Sequence, residues 1–325
     1  MTQNETQNWN EGVSIIVPTY QRPDGIEIAL GSLLDQQIEG RCVEIIVADN
    51  DPAGSARAFV ESFKKRAAFD VVYVHVPQPG VSNARNGAME KARGRFIAFL
   101  DDDMEALEGW VQSLIDTSLK FKAGIVFGPA IARMPNPEDA RNPYMEPFFS
   151  RIADMKNEGL MNETLGTGGC LLDLDLCNMP SPAFDTSLNE TGGEDDILFD
   201  HLRQTGTKVA WSPKAESIEI VPAKRATPEY IWTRNFAFGQ GPSHIHASRG
   251  LKGIPGVIYF MATGSIQWVL FGIAYLVMKR LGHPAYVKYL ARTARGLGKI
   301  FWTDRFSPKL YGAAVLKKPE VQAAE

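Results

Sequence analysis

The chain has 325 residues, of which 44% are hydrophobic and 22% charged, an ordinary globular balance with enough length for a sizeable core. Its three cysteines form no CxxC pair, which argues against a disulfide framework and for a reducing compartment. Residues 1–11 are polar and lack the apolar core of a secretory signal, so we expect the body of the protein in the cytoplasm.

Charge is unevenly distributed along the chain. The formal net charge is -4, but residues 251–325 contain eleven lysines and arginines and three acidic residues, a charge of +8, which leaves -12 on the first 250 residues. A basic tail on an acidic body indicates an anionic partner surface. Because the tail also contains a long apolar run, a lipid headgroup layer fits that surface better than a nucleic acid does.

The first half of the chain alternates apolar runs typical of buried strands with stripes typical of amphipathic helices. Strands are predicted over residues 13–17, 43–48, 71–76, 96–100 and 125–127, and helices around residues 26–34, 56–63, 83–92 and 111–119. Repeated strand–helix–strand units predict an α/β fold with a mostly parallel, doubly wound sheet.

The pattern is less regular after residue 128. Residues 129–160 are rich in proline, asparagine and charge, and a loop excursion is predicted there. Residues 164–172 regain β character. A helix is predicted over residues 197–202, and it is opened by the glycine-rich, acidic residues 192–196.

Polar residues follow three of the predicted strands, at positions 18–20, 49–51 and 101–103. In doubly wound sheets, ligands bind at the carboxyl ends of the strands. These three stretches are therefore expected to line one crevice.

Three aspartates, Asp101, Asp102 and Asp103, directly follow the apolar strand FIAFL. Adjacent carboxylates raise one another's pKa unless a cation lies among them. Hard oxygen ligands select Mg²⁺ or Mn²⁺, which commonly bridge to substrate phosphates. A metal site is therefore predicted here, with a solvated acidic turn as the alternative.

Other charged residues near the expected crevice suit a nucleotide. Asp49 follows the strand VEIIVA, where a carboxylate can accept a hydrogen bond from a base or a ribose, although DND also suits a simple turn. Arg85 lies on a predicted helix, and its guanidinium, like that of Arg22, suits either phosphate recognition or a solvated surface.

A second acidic cluster, Glu194-Asp195-Asp196, opens the helix predicted after residue 193. Acids at a helix start complement the helix dipole, and one of them can alternatively be a general base for an attacking hydroxyl. The sequence contains no GxSxG, HExxH or GxxxxGK[ST] motif, and no GxGxxG after the first strand. Hydrolase, P-loop and Rossmann dehydrogenase functions are therefore disfavoured.

Four stretches together resemble the family 2 glycosyltransferases, which have the GT-A fold. They are VSIIVPTYQRP, VEIIVADND, GVSNARNGAMEKARGRFIAFLDDD and GGEDDILFDHLRQTG, in the family's order over residues 13–211. Within the family the chain is similar to bacterial exopolysaccharide glucosyltransferases of the succinoglycan type. The resemblance implies an inverting transfer of a hexose, with glucose favoured, from a UDP-sugar to a glycan or polyprenyl-diphosphate-linked acceptor.

The resemblance also implies roles for the matching residues. The implied donor-binding residues are Pro18, Thr19, Tyr20, Arg22, Asp49, Arg85, Asp101 and Asp102. Within this set Asp49 would bind the base, usually uracil. Asp103, together with Asp102, would hold the Mn²⁺ or Mg²⁺ ion. In the Glu194–Asp195 pair, Asp195 would be the catalytic base. The family's processive members carry QxxRW where this chain has TRNFAFGQG, which favours the addition of one sugar.

The tail combines an apolar segment with a basic helix. Residues 254–278 are almost wholly apolar, and 25 residues exceed the ~20 needed to span a bilayer. After Pro284, four basic residues are predicted to share one helix face, as in an interfacial helix: Lys288, Arg292, Arg295 and Lys299. A single span would carry them outside, against the positive-inside rule. A re-entrant or in-plane arrangement is therefore expected, with a buried helix or a dimer interface as alternatives.

The predicted organisation has four parts: a flexible N-terminus at 1–12, a catalytic domain at 13–220, an acceptor-side or lid segment at 221–250, and membrane-associating helices at 251–325. His244 and His246 are expected on a flexible loop, where they would contact diphosphate, complete a metal shell, or lie at the surface. The expected location is the cytoplasmic face of the inner membrane. Two alternative functions remain, a sugar nucleotidyltransferase and a non-catalytic, membrane-associated carbohydrate-binding protein.

Overall fold

The computed structural model describes residues 8–38, 40–189 and 192–308. The chain forms two compact units. Of the described residues, the first contains those up to 131 and those from 150 to 219, and the second contains those from 132 to 149 and from 220 onward. Most of the predicted flexible N-terminus, residues 1–7, lies outside the described residues.

The first unit is built on a central sheet of eight strands. They are β1 (Val13–Thr19), β2 (Val43–Asp49), β3 (Asp70–His75), β4 (Phe96–Phe99), β6 (Ile125–Phe127), β8 (Gly159–Met161), β9 (Cys170–Asp173) and β10 (Val209–Trp211). Their order across the sheet is β3-β2-β1-β4-β9-β6-β10-β8. A smaller sheet contains β5 (Met104–Ala106), β7 (Ala130–Arg133) and β11 (Ser217–Ile220), in the order β5-β11-β7.

Helices cover both faces of the central sheet. In the first unit they are α1 (Pro23–Leu33), α2 (Arg57–Phe63), α3 (Val81–Met89), α4 (Trp110–Phe121) and α6 (Glu194–Gln204). Side chains of β1 alternate between two buried clusters, since Ile15 packs with α1, α2 and α4, and Ile16 packs with α3 and α6. This alternation follows from the twofold side-chain period of a strand. The predicted doubly wound α/β fold is confirmed.

The sheet is more mixed in direction than the sequence suggests. The pairs β1–β2, β1–β4, β2–β3 and β6–β10 are parallel. Strand β9 runs antiparallel to both of its neighbours, β4 and β6, and the edge strand β8 runs antiparallel to β10. The parallel half contains the strands whose ends carry the candidate donor-binding residues.

The prediction of a loop over residues 129–160 was wrong. This stretch contains β7, β8 and an eight-residue helix, α5 (Asn142–Phe149). Proline and asparagine were taken as signs of a loop, but Pro147 lies inside the helix. Tertiary packing outweighs the local preference, because Met145 and Phe149 are buried in an apolar cluster of the second unit.

The prediction of a flexible loop at His244 and His246 was also wrong. Both residues lie in the last turn of α7 (Pro228–Ala247), which begins at the capping residue Thr227. The Thr227 side chain accepts a hydrogen bond from the Tyr230 backbone N–H, as expected of a helix N-cap. The misleading signal was Pro242, which lies within this helix.

Two further helices complete the second unit: α8 (Ile254–Arg280) and α9 (Tyr286–Ile300). The helical segment from Gly250 to Arg280 is long and apolar enough to cross a membrane, and only 6% of its most apolar window is buried. Of the four cations predicted to share a solvated face of α9, Lys288, Arg292 and Arg295 are exposed and Lys299 is half-buried. Arg295 donates a hydrogen bond to Asn235 of α7, and Lys299 donates one to Gln267 of α8.

Leu171 offers a test of the central packing. It is fully buried in β9, between β4 and β6, so Leu171→Ala should lower the free energy of unfolding by about 2–5 kcal/mol. Leu160, on the edge strand β8, is 49% exposed, and Leu160→Ala should change it by less than about 1 kcal/mol. Urea titration of both variants measures the difference. Equal losses would contradict the packing described.

Candidate active site

The ends of β1, β2 and β4 meet at one edge of the central sheet. Thr19 Oγ1 donates to Asp102 Oδ2 at 2.9 Å, and the Asn50 backbone N–H donates to the Thr19 carbonyl at 2.9 Å. Gln21 Nε2 donates to Asp51 Oδ1 at 3.2 Å. The structure thus brings together the three stretches at residues 18–20, 49–51 and 101–103, and Pro18 and half-buried Tyr20 lie with them on the chain.

Asp49 is buried and organises the loop that follows β2. Its carboxylate accepts hydrogen bonds from the backbone N–H groups of Asp51 (3.0 Å) and Ala56 (2.8 Å) and from the Tyr73 hydroxyl (2.8 Å). Burial and the bond to Asp49 raise the pKa of Tyr73 to about 12. These bonds are the ones expected if Asp49 serves to organise a turn, which was the alternative to nucleotide binding. The Asp49 side chain is fully buried in this arrangement, and its contact with uracil stays a prediction.

Arg22 neutralises part of the acidic triplet. Its Nη1 atom lies 2.8 Å from Asp102 Oδ1 and 2.8 Å from Asp103 Oδ2. Asp102 is only 7% exposed. Burial raises the pKa of Asp102 to about 6, although the attraction of Arg22 opposes this rise. Asp102 therefore changes charge near pH 6.

Arg85 is a buried cation held between two acidic residues. Nη1 lies 2.7 Å from Glu194 Oε1 and Nη2 lies 3.3 Å from Asp101 Oδ1, so the arginine joins α6 to the end of β4. Its Nε atom is buried without a hydrogen-bond partner among the described residues. Removing one partner of a buried ion pair commonly costs about 3–5 kcal/mol. The predicted contact of Arg85 with a nucleotide stays a prediction, since the partners observed are carboxylates.

Asp195 is the half-buried acid next to this ion pair. Its Oδ2 accepts a long hydrogen bond from the Thr167 backbone N–H (3.4 Å), and its Oδ1 accepts one from the Asp196 backbone N–H (2.9 Å). The N-terminus of α6 favours its negative charge. Glu194 is buried and occupied by Arg85, so Asp195 is the better placed of the two to receive a proton.

A further ion pair, Arg151 with Glu219, was missed by the sequence analysis. Arg151 Nη1 pairs with Glu219 Oε2, and its Nη2 donates to the Gly168 carbonyl at 3.2 Å. Gly168 is tightly enclosed here, because a Cβ atom on it would lie 2.4 Å from Asp101 Oδ2 and 3.1 Å from Arg151 Nη2. The pair therefore lies beside the acidic triplet.

The charge of Glu219 depends on this setting. Burial raises its pKa, Arg151 opposes the rise, and Asp103 and Asp101 add to it. Arg151 lay within the region predicted as a loop. Glu219 could have been placed on a strand from the sequence, because SIEI at residues 217–220 alternates polar and apolar side chains as a strand does.

The described residues contain no group of three or more His, Cys, Asp or Glu side chains arranged to hold a metal ion. The two predicted ligands, Asp102 and Asp103, share Arg22. Their chemistry still fits Mg²⁺ or Mn²⁺, because Mg²⁺ commonly takes only one or two protein carboxylates and completes its shell with substrate phosphates and water. His244 and His246 belong to the second unit, where the His246 ring lies 5.3 Å from that of Phe260.

Comparison with known proteins identifies the family. Residues 14–174 match the model of glycosyl transferase family 2. The chain is 34% identical over 247 residues to the succinoglycan biosynthesis protein ExoM of Rhizobium meliloti (strain 1021), covering 76% of this chain and 77% of that protein. The protein therefore belongs to glycosyl transferase family 2 and is a glycosyltransferase, as its motifs predicted.

Two other similarities are informative. Over 106 residues the chain is 31% identical to GalNAc(5)-diNAcBac-PP-undecaprenol beta-1,3-glucosyltransferase of Campylobacter jejuni subsp. jejuni serotype O:2, covering 32% of this chain and 33% of that protein. The crystal structure of S. aureus TarS 1-349 in complex with UDP superposes with a TM-score of 0.53 at 16% identity, over 88% of this chain and 90% of that chain. At this identity the likeness to TarS concerns the fold.

The raised pKa of Asp102 predicts a specific pH dependence. The folded protein holds this proton more tightly than the unfolded chain, in which an aspartate has a pKa near 3.9. The contribution of the group to stability is therefore complete below about pH 4 and is lost as the pH rises through about 6.

Between pH 4 and pH 7 the wild-type free energy of unfolding should fall relative to that of Asp102→Asn, by up to about 3 kcal/mol. Urea titrations of both proteins at each pH measure this difference. The exposed Asp116 gives a control variant, Asp116→Asn, for the loss of one carboxylate. A constant difference between wild type and Asp102→Asn over this range would contradict the assignment.

Proposed function

We propose that the protein is an inverting hexosyltransferase that takes a hexose, with glucose favoured, from a UDP-sugar in cell-surface or exopolysaccharide biosynthesis. The observation that carries the proposal is the link through Arg85 between Asp101, in the acidic triplet, and Glu194, beside Asp195. A transferase of this kind needs carboxylates to hold a cation beside the departing diphosphate, and a further carboxylate as the base for the acceptor hydroxyl. Arg85 joins two acidic clusters that could supply them.

The donor is proposed to lie against the ends of β1, β2 and β4. Asp49, Thr19 and their neighbours would hold the nucleoside, and Arg22 would lie near the diphosphate. The choice of UDP is supported by the fold shared with TarS, which was crystallised with UDP. Glucose is supported by the name of the Campylobacter relative, a glucosyltransferase.

Asp102 and Asp103 are proposed to hold Mg²⁺ or Mn²⁺ together with the phosphates of the donor. For this, Arg22 must release at least one of the carboxylates that it now contacts, and the diphosphate supplies an alternative partner for its guanidinium. The bound cation would offset the negative charge of the leaving diphosphate. Asp102, with a pKa of about 6, must lose its proton to serve as a ligand.

Asp195 is proposed to take the proton from the acceptor hydroxyl. The hydroxyl oxygen then forms a bond to the anomeric carbon while the bond from that carbon to the diphosphate oxygen breaks on the opposite side, which inverts the configuration. Glu194, held by Arg85, acts by positioning the start of α6. Arg151 and Glu219 lie beside the triplet and add one cation and one titratable acid to the same site.

The proposed acceptor is a glycan or a sugar chain linked to polyprenyl diphosphate, at the cytoplasmic face of the inner membrane. The Campylobacter relative supports this class, since its name gives an undecaprenol-linked acceptor. The exposed apolar segment Gly250–Arg280 supports the location. The alternative of a sugar nucleotidyltransferase is not favoured, because β1 leads into PTYQRPDG and not into a glycine-rich phosphate loop.

The metal proposal predicts the behaviour of Asp103→Ala. This variant should lose transfer and most of the metal-dependent binding of UDP, because it lacks the proposed main ligand. Calorimetric titration with UDP, with and without Mn²⁺, measures binding, and product analysis with labelled sugar nucleotides measures transfer. The exposed Glu108 gives the control Glu108→Ala. Full turnover after EDTA treatment, or in Asp103→Ala, would show the metal role to be wrong.

The base proposal predicts a different effect for Asp195→Asn. UDP-sugar binding should remain nearly intact while turnover falls by about 10²- to 10⁴-fold, since an amide cannot accept the proton. The adjacent Asp196 is exposed, so Asp196→Asn is a matched control that should retain most of the turnover. Retained anomeric configuration in the product, or a trapped glycosyl-enzyme, would contradict the proposed inverting displacement.

A further inference from the structure

One face of α8 is an apolar surface along almost the whole helix. Five large side chains lie on this face at spacings of eight, three, four and three residues and are each 49–64% exposed: Ile258, Ile266, Val269, Ile273 and Leu276. We call these five residues the outer stripe. A helix of a soluble protein normally places such a stripe against its core and not in water. Among the described residues the outer stripe has no such cover, so it requires a partner.

The opposite face of α8 packs against α9, which runs back along it. A Cβ atom on Gly264 would lie 2.7 Å from the Gly296 carbonyl oxygen, and Gln267 Nε2 donates to the Arg292 carbonyl at 2.9 Å. Farther along, the rings of Tyr275 and Tyr286 lie 6.3 Å apart. Helix α9 therefore lies alongside residues 264–275, the middle and second half of α8.

This register places the cations of α9 beside the middle of α8. Lys299 Nζ donates to Gln267 Oε1 at 2.9 Å, and the Arg292 guanidinium lies 5.0 Å from the centre of the Phe271 ring. Lys288 and Arg292 are exposed. Any arrangement that takes the middle of α8 into a bilayer takes these charges to the same depth.

Length alone would allow α8 to span a membrane, because 27 residues at 1.5 Å each give about 40 Å, against a hydrocarbon core of about 30 Å. The register with α9 opposes a span. If α8 crossed the bilayer, the cations of α9 would lie near its centre, which is strongly unfavourable for charged side chains. If α8 lies flat, the same cations stay at the level of the headgroups.

We propose that α8 lies in the plane of an anionic lipid surface, with the outer stripe in the boundary between headgroups and acyl chains. Both ends of the helix then remain on the same side of the membrane. This inference rests on the proposed membrane location and adds to it the orientation of the helix and the residues that enter the lipid.

Charge favours lipid over a second copy of the chain as the partner. In the sequence from 249 to 308, nine residues are lysine or arginine and one, Asp304, is acidic. Two copies docked through the outer stripe would bring together two strongly basic surfaces. Anionic headgroups instead attract these cations, and the combination of an apolar face with basic residues is typical of helices that bind in the membrane interface.

The orientation is tested by labelling single cysteines in the full-length chain. Leu251 and Leu281, at the two ends of α8, are 85% and 71% exposed. In a Cys42→Ser background, Leu251→Cys and Leu281→Cys should both react with a membrane-impermeant maleimide in inside-out bacterial vesicles, and neither should react in intact cells. Reaction of one cysteine from each side would show that α8 spans, and would overturn the proposal.

The lipid-facing residues are tested in the same vesicles. Ile266→Cys, in the outer stripe, should react about tenfold more slowly than Lys288→Cys, because a position within the acyl boundary is shielded from a water-soluble reagent. Detergent should remove the difference. Equal rates in vesicles would show that lipid does not cover the stripe.

The role of charge is tested by flotation of the intact protein with phosphatidylglycerol-containing vesicles. Replacing Lys288 and Arg292 by Glu should reduce binding by at least about tenfold, while Lys288→Arg with Arg292→Lys should retain it. Failure of the wild type to float would contradict the proposal that α8 lies on an anionic lipid surface. The proposed sugar transfer is judged separately, by UDP-sugar binding in solution, so the two failures are distinguishable.

Discussion

The buried positive charge of Arg85 is the constraint on which the site depends. A guanidinium that is 5% exposed is stable in the protein only while acidic partners compensate it. Those partners come from two distant parts of the chain, the end of β4 and the start of α6, so the central sheet and the later helix must be in place together. The same requirement holds Asp101 and Glu194 at fixed positions.

The acidic triplet shows how the protein keeps several carboxylates close together before any substrate arrives. Arg22 is shared by Asp102 and Asp103, and Arg85 contacts Asp101. Burial raises the pKa of Asp102 to about 6, and the negative charges of Asp103 and Asp101 add to this rise. If the proposed cation and diphosphate bind here, they can replace these arginine contacts while conserving the balance of charge around the carboxylates.

The sequence predicted what depends on local periodicity, and it missed what depends on contacts between distant residues. The strands leading into Asp49 and Asp101 were found because apolar runs end abruptly in polar residues. The ion pair between Arg85 and Glu194 joins residues 109 positions apart, and no spacing rule reveals it. Helix α5 was missed because its prolines resemble those of a loop. The family motifs indicated the candidate active site, whereas the partners of each charged side chain required coordinates.

The close approach of α8 and α9 has a consequence for how this region can vary among related sequences. At Gly264 and Gly296 the backbones touch, since a Cβ atom on Gly296 would lie 2.8 Å from the Gly264 carbonyl oxygen. No other amino acid fits there without separating the helices. A side chain such as Ile273, which points away from this seam, has no neighbour of fixed shape and can be exchanged for many others of similar polarity. Among related sequences, the glycines at the contact between α8 and α9 should therefore vary little, whereas the residues on the outer face of α8 should vary more.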